Sequence, residues 1–143
     1  MDKNAFIGTW KLVSFILQNP DGTVSNPFGL EPGGYIFYMA DGYMAVAFMA
    51  AGRPQYHNQD PMAGNMQEKA AAVDTFISYC GTYEVQGNEV VHHIEVSLFP
   101  NWTGKDQRRF YQFKGRQLIL STTPQVFQGS ERSAILVWER VGN

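Results

Sequence analysis

Three side chains of this sequence have the types and spacing that could support proton transfer: His92, Arg109 and Tyr83. An imidazole can carry a proton, a guanidinium can hold a carboxylate or enolate through two hydrogen bonds, and a phenol can act as an acid. Together they would supply the base, the oxyanion partner and the acid of an isomerase or cyclase. We therefore take these three residues as candidate catalytic groups.

His92 lies in the stretch "EVVHHIEVSLF", residues 89–99, whose composition is typical of a β-strand. Residues two apart on a strand share a face, and the face predicted to be interior contains Val90, His92, Ile94, Val96 and Leu98. Arg109 is the inward candidate on the next predicted strand, and neighbouring antiparallel strands would bring it within reach of His92. The alternative is that His92 is a hydrogen-bonded core residue and that Arg109 extends to solvent.

Aromatic and amide side chains on the predicted strands and on one loop could line a binding pocket. Phenols can donate hydrogen bonds to a ligand oxygen, and aromatic rings offer stacking surface. The predicted ligand-binding residues are Tyr35, Phe37, Tyr38, Tyr79, Gln107, Tyr111 and Trp102. Plain core packing is the alternative for each ring, and Trp102, in the connector "FPNWTGKD", either gates an opening or covers apolar surface under a loop.

Several other chemistries are not predicted. His92 and His93 point to opposite faces of one strand, so no metal site is expected. The glycine-rich stretches "EPGGY" and "ADGY" are turns between strands with no helix behind them, which excludes a phosphate-binding loop, and no cofactor is expected. Cys80 is the only cysteine and faces away from Tyr79, so we expect an inert thiol.

About eight predicted strands must position these residues. Their ranges are 9–18, 33–39, 43–49, 79–85, 89–99, 108–113, 117–122 and 133–140. On the first strand, the shared face contains Trp10, Leu12, Ser14 and Ile16. One helix, from about Pro61 to Ile77, is predicted between the third and fourth strands, because Met62, Met66, Ala70, Val73 and Ile77 recur at helical spacing. Short connections favour an all-β, antiparallel up-and-down barrel, and the loop 51–61 plus the helix could act as a lid.

Length and charge restrict the class of protein. A chain of 143 residues fits one domain, over residues 1–143. A net charge of -2 with scattered basic residues argues against a nucleic-acid partner. The sequence contains neither a membrane-spanning apolar run nor a recognisable signal segment, so a cytoplasmic protein is expected. If the barrel closes incompletely, its exposed edges could pair between chains in a homodimer.

The stretch "GTWKLVS" resembles the Gly-x-Trp signature on the first barrel strand of the lipocalin/calycin superfamily. In that superfamily the Trp packs across the closed end and an Arg of the last strand lies over it, which implies a barrel floor of Trp10 and Arg140, the Arg being supplied by "VWER". The wider pattern, including "VVHHIEVS" and "RRFYQF", resembles the stand-alone lipocalin-like domains of bacteria and fungi over nearly the whole chain.

Three functions are compatible with such a barrel. The favoured one is binding of a small, largely apolar or aromatic molecule in the interior. The second is an enzyme of small-molecule metabolism, an isomerase or cyclase, that uses His92, Arg109 and Tyr83 in the same pocket. The third is a filled barrel that takes no ligand and has a structural or partner-binding role. A fold by itself does not distinguish these functions.

Overall fold

The antiparallel strands of this protein form one sheet that closes on itself, in a computed structural model that describes residues 3–142. The strands are β1 Gly8–Gln18, β2 Val24–Ser25, β3 Gly33–Tyr38, β4 Tyr43–Met49, β5 Phe76–Gln86, β6 Glu89–Ser97, β7 Asp106–Lys114, β8 Gln117–Ser121, β9 Gln125–Phe127 and β10 Ser130–Arg140. The α-helix, α1, is Met66–Asp74, and 3-10 turns cover Lys3–Ala5 and Pro100–Trp102. The described part of the chain has no helix with the length and apolar character needed to span a lipid bilayer.

Pairing between the first and last long strands closes the barrel. β1 and β10 are antiparallel from Trp10↔Arg140 to Gln18↔Ser133. The short strands β2 and β9 extend the sheet beside β1 and β10, so the other eight strands form the barrel wall. The predicted all-β antiparallel barrel of eight strands with one helix is therefore confirmed.

The position and length of the helix differ from the prediction. It lies between the fourth and fifth strands rather than between the third and fourth, because the two-residue strand β2 was not recognisable from its sequence. It begins later than Pro61, because Asn65 caps it: the Asn65 side chain accepts from the Glu68 amide, and the Glu68 carboxylate accepts from the Asn65 amide. It ends before Thr75, and Phe76 already pairs with Met49 in the sheet.

The apolar spacing that predicted the helix does not mark a buried face. Met66 is 87% exposed, Met62 and Val73 are also exposed, and no residue of α1 is buried. The helix is held instead by polar contacts to the segment before it. The Arg53 guanidinium donates to Thr75 Oγ1 at 3.0 Å and to the Ala72 carbonyl oxygen at 3.0 Å.

A β-bulge in β1 reverses the side-chain alternation of the first strand. Val13 is the extra residue, because Leu12 pairs with Trp138 whereas Ser14 pairs with Val137. The prediction that Ser14 and Ile16 share a face with Trp10 and Leu12 is therefore wrong beyond the bulge. Phe15 and Leu17 are the buried residues there.

A second bulge, in β6, also reverses the alternation of side chains along its strand. Cys80 pairs with Val96 and Gly81 with Ile94, which leaves Glu95 as the extra residue. Val96 is consequently 64% exposed, and Leu98 is exposed as well, in contrast to the predicted inward positions of both. Gly81 permits the bulge, because a Cβ at this position would overlap the carbonyl oxygen of His93.

One end of the barrel is closed around Trp10. The indole Nε1 donates to the Phe6 carbonyl oxygen at 2.8 Å, and the Arg140 guanidinium lies over the indole, 4.2 Å from the ring centroid. Arg140 also donates to the carbonyl oxygens of Ile7 at 3.0 Å and Ala5 at 2.8 Å. The residue two before the Trp is Gly8, with φ 139°, where a Cβ would lie 2.7 Å from the guanidinium. The spacing Gly-x-Trp thus leaves room for the arginine.

Candidate ligand-binding site

The barrel interior contains a cavity of about 70 Å³ at the end opposite Trp10, and an open cleft of about 750 Å³ lies outside it. Four side chains line both spaces: Ile77, Trp102, Gln125 and Phe127. The cleft and the cavity therefore adjoin each other. The remaining lining of the cavity is formed by Phe15, Ile36, Val46, Phe48, Tyr79, His92, Arg109, Leu120, Ala134, Leu136 and Trp138.

A hydrogen-bonded trio crosses the interior beside this cavity. The hydroxyl of Tyr38, on β3, lies 2.6 Å from His92 Nε2, and the hydroxyl of Tyr79, on β5, lies 2.7 Å from His92 Nδ1. His92 is only 1% exposed. The three strands present these side chains inward, so both nitrogens of the imidazole are satisfied by tyrosines.

The members of this trio are neutral at physiological pH. Burial, then the positive charges of Arg109 and His93, lower the pKa of His92 to about 3. Burial also raises the pKa of the Tyr38 and Tyr79 phenols above the ordinary value. The imidazole therefore carries one ring proton, and each phenol keeps its own.

Arg109 lines the same cavity as His92. The two residues lie on neighbouring strands, with Val90 opposite Arg109 and His92 opposite Gln107. The side chain of Arg109 is half-buried, and its guanidinium donates to the Arg108 carbonyl oxygen at 3.0 Å. Among the described residues, no Asp or Glu lines the inner cavity, so its charge is positive.

Tyr83 lies directly opposite His92 in the β5–β6 pairing, but its hydroxyl does not contact the imidazole. It is buried and points inward, but its hydroxyl donates to the Met39 carbonyl oxygen at 3.0 Å. It does not line the cavity, and the hydroxyls beside His92 belong to Tyr38 and Tyr79 instead. The three residues considered as catalytic are thus not assembled around one point.

The structure divides the predicted ligand-binding residues into three groups. Tyr79 and Trp102 line the inner cavity, and Gln107 lines the cleft, together with Trp102. Tyr38 does not line the cavity and reaches it only through His92.

The other three lie elsewhere. Tyr35 and Phe37 stack on each other on the outer surface, 42% and 38% exposed, because the strand turns Ile36 and Tyr38 inward. Tyr111 packs against Phe6 at the closed end, and its hydroxyl donates to the Gly87 carbonyl oxygen at 2.8 Å.

Some cavity residues were not identified from the sequence. Gln125 and Phe127 belong to β9, which lies outside the eight predicted strands because it is short and is flanked by turn residues. Trp138 shares a strand face with Arg140, and nothing in the sequence pattern marked it as a pocket residue. Its Nε1 is buried and has no hydrogen-bond partner among the described residues.

His93 forms a separate polar cluster on the outer face of the barrel. Its ring nitrogens lie 2.6 Å from Asp106 Oδ1 and 3.0 Å from Glu84 Oε1, and these contacts raise the pKa of His93. Across residues 3–142, no grouping of His, Cys, Asp and Glu side chains could hold a metal ion. The cluster therefore joins strands rather than forming part of the candidate site.

A closed antiparallel barrel with a sealed floor and a cavity open at the other end defines a class of small-molecule-binding barrels. Comparison with known families agrees with this geometry. The chain belongs to the lipocalin-like domain family, whose model matches residues 7–141. The resemblance seen in the sequence is thereby confirmed.

A relative with a stated function in its name comes from a fungus. The chain is 33% identical over 107 residues to the 4′-hydroxy-3′-methoxypropiophenone carrier protein of Aspergillus oryzae. The match covers 68% of this chain and 96% of the relative. The family and the relative both support small-molecule binding as the function of this barrel.

Proposed function

We propose that this protein is a carrier that binds a largely apolar or aromatic molecule in the inner cavity and the adjoining cleft. The observation that carries the proposal is the lining itself. Aromatic and aliphatic side chains surround the cavity, and the Tyr79 hydroxyl, His92 and Arg109 add a few convergent polar groups. This combination is typical of ligand sites in which apolar burial supplies affinity and a few hydrogen bonds fix orientation.

The volume of the inner cavity limits how a ligand would bind. The inner cavity of about 70 Å³ is smaller than the roughly 150 Å³ apolar cavity that binds benzene. An aromatic ring would therefore enter only if a mobile wall residue moved outward, with the rest of the ligand in the cleft. Trp102 is the residue we assign to this role. It packs edge-on against Tyr79, with ring centroids 5.9 Å apart, between the cavity and the cleft.

The loop 51–61 and α1 would act as the lid of the cleft. Arg53 fastens the loop to the end of the helix, and Glu68 accepts from the His57 amide at 2.7 Å. Val73 and Asp74, at the end of the helix, line the cleft. A movement of the loop would therefore change the width of the opening.

The class of ligand to test first is an aromatic ketone. The relative's name specifies a propiophenone that carries hydroxy and methoxy groups. Such a molecule has an apolar ring for the cavity and oxygen atoms for the polar groups.

Binding of 4′-hydroxy-3′-methoxypropiophenone, followed by tryptophan fluorescence and calorimetry, tests the proposal. We expect saturable binding with one site. Ala134→Leu would fill the cavity and weaken binding, whereas Ala47→Leu, on the outer face of β4, would leave it unchanged. Equal affinities of the two variants would exclude the inner cavity as the binding site.

The same experiment addresses turnover. In the structure, both nitrogens of His92 are engaged by tyrosines and Tyr83 is directed elsewhere, which favours binding over proton transfer. We expect mass spectrometry to recover the ligand chemically unchanged after prolonged incubation. A product that forms with the wild type and not with His92→Gln would instead support the isomerase or cyclase function.

A further inference from the structure

The trio of Tyr38, His92 and Tyr79 contains one more proton than it has hydrogen bonds. Two phenols contribute one O–H each, and a neutral imidazole contributes one N–H. The trio has two contacts, Tyr38 to Nε2 and Tyr79 to Nδ1. One of the three donors must therefore point away from the trio.

Two arrangements satisfy both contacts. In the first, the Tyr38 hydroxyl donates to Nε2, and Nδ1–H donates to the Tyr79 oxygen, which leaves the Tyr79 O–H free. In the second, the Tyr79 hydroxyl donates to Nδ1, and Nε2–H donates to the Tyr38 oxygen, which leaves the Tyr38 O–H free.

The surroundings of the two phenols distinguish these arrangements. Tyr38 is fully buried and its ring lies against those of Phe6 and Tyr83, with centroids 5.2 and 4.8 Å away. Among the described residues, its hydroxyl has no acceptor other than His92. Tyr79, in contrast, lines the cavity. A buried donor without an acceptor is unfavourable, so the free O–H belongs to Tyr79.

We propose that the trio is a directed relay, Tyr38 to His92 to Tyr79, which presents the Tyr79 O–H as a donor to an oxygen acceptor of the ligand. This inference rests on the proposed function and adds the chemical group that the site selects. The site favours an apolar molecule that has a carbonyl oxygen over a hydrocarbon of the same shape. A hydrogen-bond acceptor on the ligand completes the relay, because it accepts from the Tyr79 O–H, which has no acceptor within the trio.

Like the Tyr79 O–H, other polar groups of the residues that line the cavity are hydrogen-bond donors. Trp138 lines the cavity, and its buried Nε1–H has no partner within residues 3–142; the Arg109 guanidinium is a cationic donor. No carboxylate lines the inner cavity among the described residues. A ligand that offers acceptors matches these groups, whereas a cationic amine does not.

A pair of ligands that differ only in the acceptor tests the relay. The probes are propiophenone and propylbenzene, in which a methylene group replaces the carbonyl. The proteins are the wild type, Tyr79→Phe and the matched control Tyr83→Phe, whose lost hydroxyl bonds to a backbone carbonyl outside the cavity. We expect Tyr79→Phe to weaken binding of propiophenone by roughly 3- to 10-fold relative to propylbenzene, and Tyr83→Phe to leave this ratio unchanged.

The outcomes separate the relay from the carrier function. If Tyr79→Phe leaves the ratio unchanged although both probes bind the wild type, the relay is wrong and the carrier function stands. If neither probe binds the wild type, the carrier function for this ligand class fails, and a measurement without ligand decides on the relay. ¹⁵N NMR of the His92 ring should then show the proton on Nδ1. A proton on Nε2 would overturn the relay.

Discussion

The Arg140 guanidinium lies over the Trp10 indole at 4.2 Å from its centroid and joins the last strand of the barrel to the first. The same guanidinium donates to two carbonyl oxygens of the segment before β1, those of Ala5 and Ile7. One side chain thus combines a cation–π contact with two hydrogen bonds at the closed end. The floor is therefore a feature of stability rather than of ligand recognition.

Trp10→Ala should reduce the free energy of unfolding by roughly 3–5 kcal/mol, because it empties the closed end and removes the surface under Arg140. Urea denaturation followed by circular dichroism measures the change. Trp102→Ala is the matched control, since this half-buried ring leaves a site already open to solvent. A loss below about 1 kcal/mol for Trp10→Ala would show that the floor does not stabilise the fold.

Gly81→Ala should destabilise the barrel by about 3 kcal/mol or more, because the added Cβ overlaps the His93 carbonyl oxygen at the β6 bulge and backbone cannot easily move away. Gly87→Ala is the control. It stands in a turn with φ 61° and nothing within 4 Å of the new Cβ, so only the backbone conformation is strained, by roughly 1–2 kcal/mol. Similar losses for the two variants would contradict our account of the bulge.

The two adjacent histidines should titrate in opposite directions from the ordinary histidine pKa. In an NMR titration, the His93 ring should show a midpoint above 6.5, because the Asp106 and Glu84 carboxylates favour its protonated form. The His92 ring should not titrate above about pH 5, since burial holds its pKa at about 3. A His92 midpoint near 6.5 would mean that the imidazole is hydrated.

These shifts have opposite effects on stability. The folded-state pKa of His92 lies below its unfolded value, so the unfolded chain binds more protons, and stability falls as the pH drops below about 6.5, by up to about 1.4 kcal/mol per pH unit. The folded-state pKa of His93 is raised, so its contribution is complete below about 6.5 and is lost as the pH rises through its folded pKa.

Denaturation of His92→Gln and His93→Gln between about pH 5 and 9 separates the two effects. The first variant should be less sensitive to acid than the wild type. His93→Gln should not show the loss of stability that the wild type shows as the pH rises through the folded-state pKa of His93. An unchanged acid slope in His92→Gln would show that other groups cause it.

Trp102→Ala should accelerate ligand release by roughly 10-fold or more, since the ring lies between the cavity and the cleft. Stopped-flow displacement measures the rate. Phe99→Ala is the control, because Phe99 packs against Trp102 at 5.3 Å but lines only the cleft. If both variants release ligand at the wild-type rate, Trp102 is not a gate.

The sequence alone determined the barrel and its closed end. Strand composition and turn residues such as those of "ADGY" specify local structure, and short connections leave few ways to arrange eight antiparallel strands. Period-two alternation also placed His92 inside correctly, because it precedes the β6 bulge. Alternation is a local property of the backbone, so the direction of side chains can be predicted for each strand from the sequence of that strand alone.

Only the tertiary structure decided which side chains meet. The bulges at Val13 and Glu95 depend on how each strand pairs with its neighbour, and neither residue differs in type from an ordinary strand residue. The hydrogen-bond partners of His92 come from β3 and β5, 54 and 13 residues away in sequence. Tyr83 pairs with His92 in the sheet, but its hydroxyl bonds to Met39 instead. Such contacts follow from strand register and barrel curvature, and these are set by the packing of the whole chain.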